Sequence, residues 1–416
     1  MSGPFGSTLK GDAYLSSGDI AFIRVQNIKG GFDINDNDLV YISNKDNEKI
    51  KSSSLQEGDL ILSKVGNSIG YFAKVSSDLG KCNISENNIG IKLSSYSDIE
   101  KSFILTYLNA KYANKLVLRR KSGNAQPKIN VDDLCRIPIL IFPKLSKNIH
   151  NLIQLHEAYL NQSILSYKQA EDILNKELGI TNIENTKNYS VKSFSESFGE
   201  SNRLDAEYYQ DKYTQLFDII KNGKQLKELV TITKSIEPGS DEYKDEGIPF
   251  LRVSNLTKFG LTDSNVFLDR KKYENLLKPR KDTILFSKDG SIGIAYKAES
   301  DLDCITSGAL LHLSVKKTTI LPDYLALVLN SKIVQLQAER DSGGSIINHW
   351  RLPEIEMVLI PMLDYDIQNQ ISQKVQESFK LRKDSKNLIN VAIRAVELAI
   401  EKNEEYASQW LIENSN

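Results

Sequence analysis

The chain is short of the residues on which most enzyme chemistry draws. Its 416 residues include three cysteines and four histidines. Cys82, Cys135 and Cys304 are far apart, odd in number and in no Cys-x-x-Cys pair, which argues against a disulfide framework and a zinc site. His150 and His156 fall six apart on a predicted helix and so share no face. Charge of one sign is also lacking: 53 Lys and Arg face 54 Asp and Glu, so any basic surface must be local. The longest apolar runs, such as Ile137 to Pro143, are far below the roughly 18 residues of a membrane span. The opening MSGPFGSTLKGDAYL has no basic-then-apolar signal pattern. These absences predict a reducing, cytoplasmic setting with no membrane partner. There is no Gly-x-x-x-x-Gly-Lys-[Ser/Thr], no Gly-x-Gly-x-x-Gly and no Asp/Asn-Pro-Pro-aromatic motif. Asp241-Glu242-Tyr243-Lys244 is a faint nuclease-like pattern in a turn-rich segment. No catalytic residue, metal ligand or cofactor is therefore assigned.

What the chain does have is a long internal repeat. Phe22-Ile23-Arg24-Val25-Gln26-Asn27-Ile28 recurs as Phe250-Leu251-Arg252-Val253-Ser254-Asn255-Leu256. The run from Asp59 to Gly70 recurs from Asp282 to Gly293 with single-residue slips. Cys82 matches Cys304, Leu108-Asn109 matches Leu329-Asn330, and Ser122-Gly123 matches Ser342-Gly343. Order is kept throughout, and each unit is long enough to own a core. Two related units imply two similar jobs.

Within each unit the first two-thirds reads as strands punctuated by turn residues: Ile20–Val25, Leu60–Ser63 and Ile89–Leu93, then Phe250–Val253, Thr283–Phe286 and Leu310–Val315. A helix follows, 99–118 and 322–337. Each unit then ends in a long helix, starting at the N-cap types Ser146 and Asp364. The first places Ile149, Ile153, His156, Leu160, Ser163, Tyr167, Ala170 and Leu174 on one stripe, with Gly179 as its stop. The second places Ile367, Ile371 and Val375 and, after a polar middle, Leu388, Ala392, Ala395 or Val396, and Ala399. Both stripes are narrow, which suits helix against helix. Thirty-odd residues at about 1.5 Å each give a rod of roughly 45 Å. The segment 181–200 is the connector. In the repeat register Met1 falls opposite Leu229, so the first unit starts late.

This ordered duplication resembles the specificity subunits of Type I restriction-modification systems over nearly the whole chain. The features are Gly3-Pro4-Phe5-Gly6-Ser7, the two Phe-x-Arg-Val-x-Asn motifs, Gly58-Asp59-Leu60-Ile61-Leu62-Ser63 with its partner, and Arg203-Leu204-Asp205-Ala206-Glu207-Tyr208-Tyr209. The resemblance implies an α+β chain of two tandem homologous target-recognition domains separated by two long antiparallel spacer helices, pseudo-twofold symmetric. Its parts are domain 1 at 1–145, a central spacer helix at 146–179, a connector at 180–202, domain 2 with a helical lead-in at 203–363, and a C-terminal spacer helix at 364–416. The implied role is non-catalytic: reading a bipartite target in double-stranded DNA, with the helices as ruler. The implied partners are two methyltransferase subunits, with restriction or translocase subunits as further candidates.

Base discrimination needs directional donors and acceptors, and phosphate contacts need cations and free backbone N–H groups. Three places per unit offer these. The first is Arg24, Gln26 and Asn27, with Arg252, Ser254 and Asn255; the competing reading is that each Asn caps a turn. The second is the Gly-bounded loop of Lys64, Asn67 and Ser68, with Lys288 and Ser291, for which a plain hairpin loop competes. The third is Arg119, Arg120, Lys121, Asn124, Gln126 and Lys128, with Arg340, Ser345, Asn348 and His349. The last two sets differ in nearly every polar identity, so the units would read different half-sites. The runs 270–272 and 278–281 are basic, though a solvated surface accounts for any single run. Near-neutral charge keeps open a different class, a protein-interaction or regulatory protein on the same duplicated scaffold, since DNA binders usually gain affinity by neutralising phosphates.

Overall fold

The β-branched and aromatic runs become strands and the amphipathic stretches become helices, giving a mixed α+β chain. The computed structural model describes residues 1–4, 8–9, 13–28, 30–35, 39–66, 69–123, 127–180, 183–187, 189–316, 319–342 and 349–414. The chain divides into two compact units, Met1–Leu160 with Arg382–Asn416, and Asn161–Leu381.

In the first unit, Ile20–Ile23 pairs antiparallel with Val40–Ile42 on one side and parallel with Cys82–Ile84 on the other. A second sheet runs in the order Phe32–Asp33, Phe72–Lys74, Leu60–Ser63, Asn88–Ile91. Its inner strand Leu60–Ser63 is buried throughout, as a strand covered on both faces must be. Residues 1–3 lie along the edge strand, with Ser2 bridging Ile89 and the amide of Gly90 donating to the Met1 carbonyl at 2.8 Å. The helix Asp98–Asn109 begins with a capping box between Ser97 and Glu100. Its Phe103, Leu105 and Leu108 enter a core shared with Leu60, Leu62 and Phe72, and with Ile149 and Ala392 of the long helices.

The second unit repeats the small sheet: Ile248–Leu251 pairs antiparallel with Phe267–Leu268 and parallel with Ile305–Thr306. Its larger sheet runs Ala295–Lys297, Ile284–Ser287, Leu310–Val315, Val230–Lys234, antiparallel throughout. The helix Pro322–Asn330 has proline in its first turn, where a missing N–H costs nothing. It packs Tyr324, Leu327 and Val328 over Phe286 and Leu313.

The registers correct one sequence alignment. Gly58 and Asp282, rather than Asp59 and Asp282, are equivalent: both adopt positive φ (82° and 65°) and donate at 2.9 and 2.8 Å to the carbonyls of Val75 and Ala298. The helices expected over 99–118 and 322–337 are each broken once, at Ala110 and at Ser331. In both cases an asparagine one residue before the break turns its amide onto a strand.

The long helices also differ from expectation in their starts. The first spans Pro143–Glu177. Ser146 is not its cap; it sits in the first turn and donates from Oγ to the Phe142 carbonyl at 2.8 Å. The proline displaces the start because its fixed φ is already helical. Gly179, at φ 66°, closes the other end, where the Ile180 amide donates to the Asn175 carbonyl at 2.8 Å. The second helix spans Tyr365–Glu401, with the Asp364 carbonyl accepting from the Gln368 amide. It does not continue to the end of the chain: Asn403 caps a separate helix, Glu404–Asn414, through Oδ1 to the Tyr406 amide.

In the first unit the two long helices run antiparallel. Lys144 and Leu145 meet Glu404 just beyond one end, and further along His156 meets Ser385, whose Oγ lies 2.6 Å from Nδ1. His156 Nε2 sits 3.2 Å from Asp33 Oδ1, tying the seam to the sheet. In the second unit Ser163 and Ser378 hydrogen-bond across the seam at 3.0 Å. No helix of the described residues is long and apolar enough to cross a membrane.

Candidate nucleic-acid interface

Four segments that are distant in sequence are joined edge to edge by backbone hydrogen bonds in the first unit. The strand Ile20–Ile23 ends where the Ser85 amide donates to the Ile23 carbonyl at 2.9 Å. Two residues on, the Asn87 carbonyl accepts from the Lys64 amide at 2.7 Å. The Lys64 carbonyl in turn accepts from the Ile129 amide at 3.0 Å, and the Gly66 amide donates to the Pro127 carbonyl. Turns after strands carry no ladder partner, so these bonds satisfy the loop backbones and set the loops side by side.

The second unit builds the same chain of bonds. The Ser307 amide donates to the Leu251 carbonyl at 2.8 Å, the Lys288 amide to Ala309 at 3.0 Å, and the Trp350 amide to Lys288 at 2.9 Å. The isolated bridges agree, Val65 with Lys128 and Asp289 with His349. Lys128 and His349 therefore hold one position in the scaffold, as do Val65 and Asp289. The turn around 85–87 and 307–309 was missed in the sequence reading, because Ser, Glu and Asn there look like an ordinary connection between strands.

Among the first group of expected residues, Arg24 and Gln26 line an open cleft of about 310 Å³ with Ser85, Glu86 and Asn87. Asn27 does not reach out. It is fully buried, its Oδ1 accepts from the Arg24 amide at 3.0 Å, and its Nδ2 donates to the Asn35 carbonyl at 3.0 Å. Asn255 does the same with the Arg252 amide and the Asp263 carbonyl. Both asparagines are corrected from contact residues to turn supports, since a buried amide bonded to the backbone of its own turn and of a neighbouring loop does not reach the surface. Ser254 is exposed, and Arg252 is half-buried with Nη2 3.4 Å from Asn265 Oδ1.

Lys64 is half-buried and donates to Ser2 Oγ at 3.1 Å. Arg119, Lys121 and Lys128 are exposed, while Arg120 is half-buried with Nη2 3.4 Å from the Arg136 carbonyl. Among the described residues these four cations make no ion pair. Ser122 and Lys128 exchange backbone bonds at 2.8 Å, which folds the basic segment back onto the Lys64 loop. Asn67, Ser68, Asn124, Gln126, Ser345 and Asn348 lie outside the described residues.

In the second unit Lys288 is half-buried, Ser291 is exposed and its carbonyl accepts from Ser287 Oγ at 2.6 Å, and His349 is exposed. The Asp289 carboxylate lies between Lys288 and His349. Partial burial pushes its acidity down, but bonds from Lys288 and His349 outweigh this and hold it below the usual carboxylate range. Arg340 is corrected. Its guanidinium stacks on Tyr208 and Phe217, centroids 4.8 and 4.2 Å away, and pairs with Asp341 at 2.7 Å. Tyr208 also carries Arg203, 4.6 Å away, so the Arg203–Tyr209 motif is a packing lock on Arg340.

Four cations in the basic runs of the second unit, Arg270, Lys272, Lys278 and Arg280, are paired with carboxylates. Arg270 and Lys278 both bind Asp303, whose carboxyl they hold down to about 2, and both bind Glu274. Lys272 meets Glu242, and Arg280 meets Asp301 at 2.9 Å. Among the described residues the first unit thus presents Arg119, Lys121 and Lys128 without an ion pair, where the second presents mixed hydrogen-bonding groups. Burial pushes the thiols of Cys82 and Cys304 up to about 12, which suits them to packing and not to thiolate chemistry.

Residues 221–393 match the Type I restriction modification DNA specificity domain. Over 192 residues the chain is 26% identical to the EcoBI specificity subunit of a Type I restriction enzyme from Escherichia coli, an alignment covering 43% of this chain and 39% of that protein. The match thus spans less than half of that relative's length. Among solved structures, the Type I restriction-modification S subunit from M. genitalium is similar over 95% of this chain and 92% of its own, at 13% identity and a TM-score of 0.39. The HsdS subunit from Thermoanaerobacter tengcongensis is similar over 92% and 90%, at 15% identity and a TM-score of 0.30.

Proposed function

From the match of residues 221–393 to the Type I restriction modification DNA specificity domain, we propose that the chain reads DNA sequence for a Type I restriction-modification complex. Each unit acts as a target-recognition domain, and the long helices serve as the spacer between them. The carrying observation is the loop junction built twice with the same backbone bonds, in which Arg24 and Lys64 recur as Arg252 and Lys288 while Gln26 and Lys128 of one unit give way to Ser254 and His349 in the other. A shared scaffold with divergent polar groups is what two readers of unlike half-sites require.

A helix of 35 residues is roughly 50 Å long at about 1.5 Å per residue, enough to hold two half-sites about one turn of DNA apart. The reader itself is near-neutral overall, so much of the phosphate neutralisation falls to methyltransferase subunits bound alongside it. The chain carries no chemistry of its own in this reading; methyl transfer belongs to those partners.

Sequencing the methylome of a host with and without the gene tests the proposal. The expected result is a methylated motif of two short halves separated by unspecified bases, lost on deletion. Unchanged methylation, together with no selection of a split motif from randomised duplex in the presence of a cognate methyltransferase subunit, would favour the protein-interaction class instead.

A further inference from the structure

Lys128 and His349 occupy the same place in the two units, yet they can say opposite things to a base. His349 is held by two neighbours. Trp350, 1% exposed, anchors the backbone beneath it, and its ring packs against Phe286 at 5.8 Å. Asp289, across the backbone bridge, places Oδ1 2.9 Å from His349 Nδ1. An ionised carboxylate only accepts, so Nδ1 carries the hydrogen of that bond. The other oxygen of Asp289 is taken by Lys288, which keeps the carboxylate charged and in place. In the neutral imidazole this leaves Nε2 of the exposed His349 side chain as an acceptor.

Among the described residues the first unit has no such device. Val65 stands where Asp289 stands, and Lys128 where His349 stands. An ammonium group donates and cannot accept.

We propose that Asp289 is a positioning residue that fixes His349 as an acceptor, and that His349 and Lys128 are specificity-determining residues with opposite preferences. This rests on the DNA-reading role proposed above. An acceptor at the groove surface selects the amino-bearing edges of adenine or cytosine, whereas a donor selects the acceptor edges of guanine or thymine. A phosphate is all acceptor, so a neutral His349 with Nε2 outward does not serve as a backbone clamp.

The test uses the full chain in its host, with the methylated motif and the binding of the assembled complex to duplexes altered one base at a time as readouts. His349→Lys is expected to replace an amino-bearing base by a keto base at one position of one half-motif and leave the other half untouched. Lys128→His is expected to alter the other half alone. Asp289→Asn frees the imidazole to present either nitrogen, and is expected to reduce discrimination at the His349 position about 10-fold without changing preference elsewhere. A purely structural role for Asp289 would instead weaken binding evenly over all duplexes, and that result overturns its assignment. Should His349→Lys tighten binding to every duplex with a steeper salt dependence, the side chain faces phosphate and the inference fails. Unchanged half-motifs in both variants, with the wild-type chain still giving a split motif, would also sink the inference while leaving the DNA-reading role intact. Absence of any split motif from the wild type removes both.

Discussion

The side-chain amide of Asn109 closes on the backbone of Phe72 from both sides, Oδ1 accepting from its N–H at 3.1 Å and Nδ2 donating to its carbonyl at 2.9 Å. In the second unit Asn330 holds Ala295 in the same way, at 3.0 and 2.7 Å. One residue type at one helix end thereby pairs with the backbone of the first residue of a strand. Asn109→Ala leaves the two backbone groups of Phe72 unpartnered, and Asn330→Ala those of Ala295. Each variant is expected to lose about 1–3 kcal/mol of unfolding free energy, measurable as a lower urea midpoint with unchanged slope.

His312 links stability to pH. Its ring is buried, Nε2 lies 2.7 Å from Thr306 Oγ1, and burial drops its pKa from 6.5 to about 4. The neutral ring is favoured in the folded state, so this group's contribution is fully present above pH 6.5. It is lost as the pH falls from there towards 4, because only the unfolded chain takes up the proton. The expected loss is on the order of 3 kcal/mol. Melting curves of the wild type and His312→Gln at pH 7.0, 5.5 and 4.5 should converge as the pH falls; a constant gap contradicts the assignment.

Salt dependence should separate unpaired from paired cations. Replacing Arg119 or Lys121 by Ala is expected to lower the steepness of the log affinity against log salt plot by about 1 per residue for the assembled complex. Replacing Arg270 or Lys278, whose charges Asp303 and Glu274 already offset, should leave it unchanged.

Arg340→Ala should act on stability and not on sequence preference. The substitution removes the ring contacts with Tyr208 and Phe217 and strands the Asp341 carboxyl, which burial already makes harder to ionise. A loss of ~2–4 kcal/mol is expected in chemical unfolding. The recognised motif should be the same wherever the variant remains folded.

Much of the local structure was legible. The strands Leu60–Ser63 and Leu310–Val315 fall on the predicted residues, because continuous apolar runs bounded by turn residues leave little choice. The buried side chains of the long helices follow their predicted stripes from Ile149 to Leu174 and through Ile371, Val375, Ala392 and Val396. The misjudged points share a cause. Ser146, Asn27, Asn255 and Arg340 each have a chemistry suited to two jobs, and the choice was made by a neighbour lying anywhere from three to more than 120 positions away. Ser146 lost the cap to a proline three residues earlier. The two asparagines were taken up by the carbonyls of Asn35 and Asp263, and Arg340 by an aromatic pair more than 120 positions back.

Periodicity and repetition, which depend only on neighbouring residues and their order, were enough to declare two similar α+β units, long helices and the candidate loops. Tertiary structure alone decided which loops meet, that Lys128 stands where His349 stands, and which polar groups remain for a ligand. Those outcomes hinge on backbone hydrogen bonds between segments tens of residues apart, and such bonds carry no signature in side-chain identity because every residue but proline offers the same donor and acceptor.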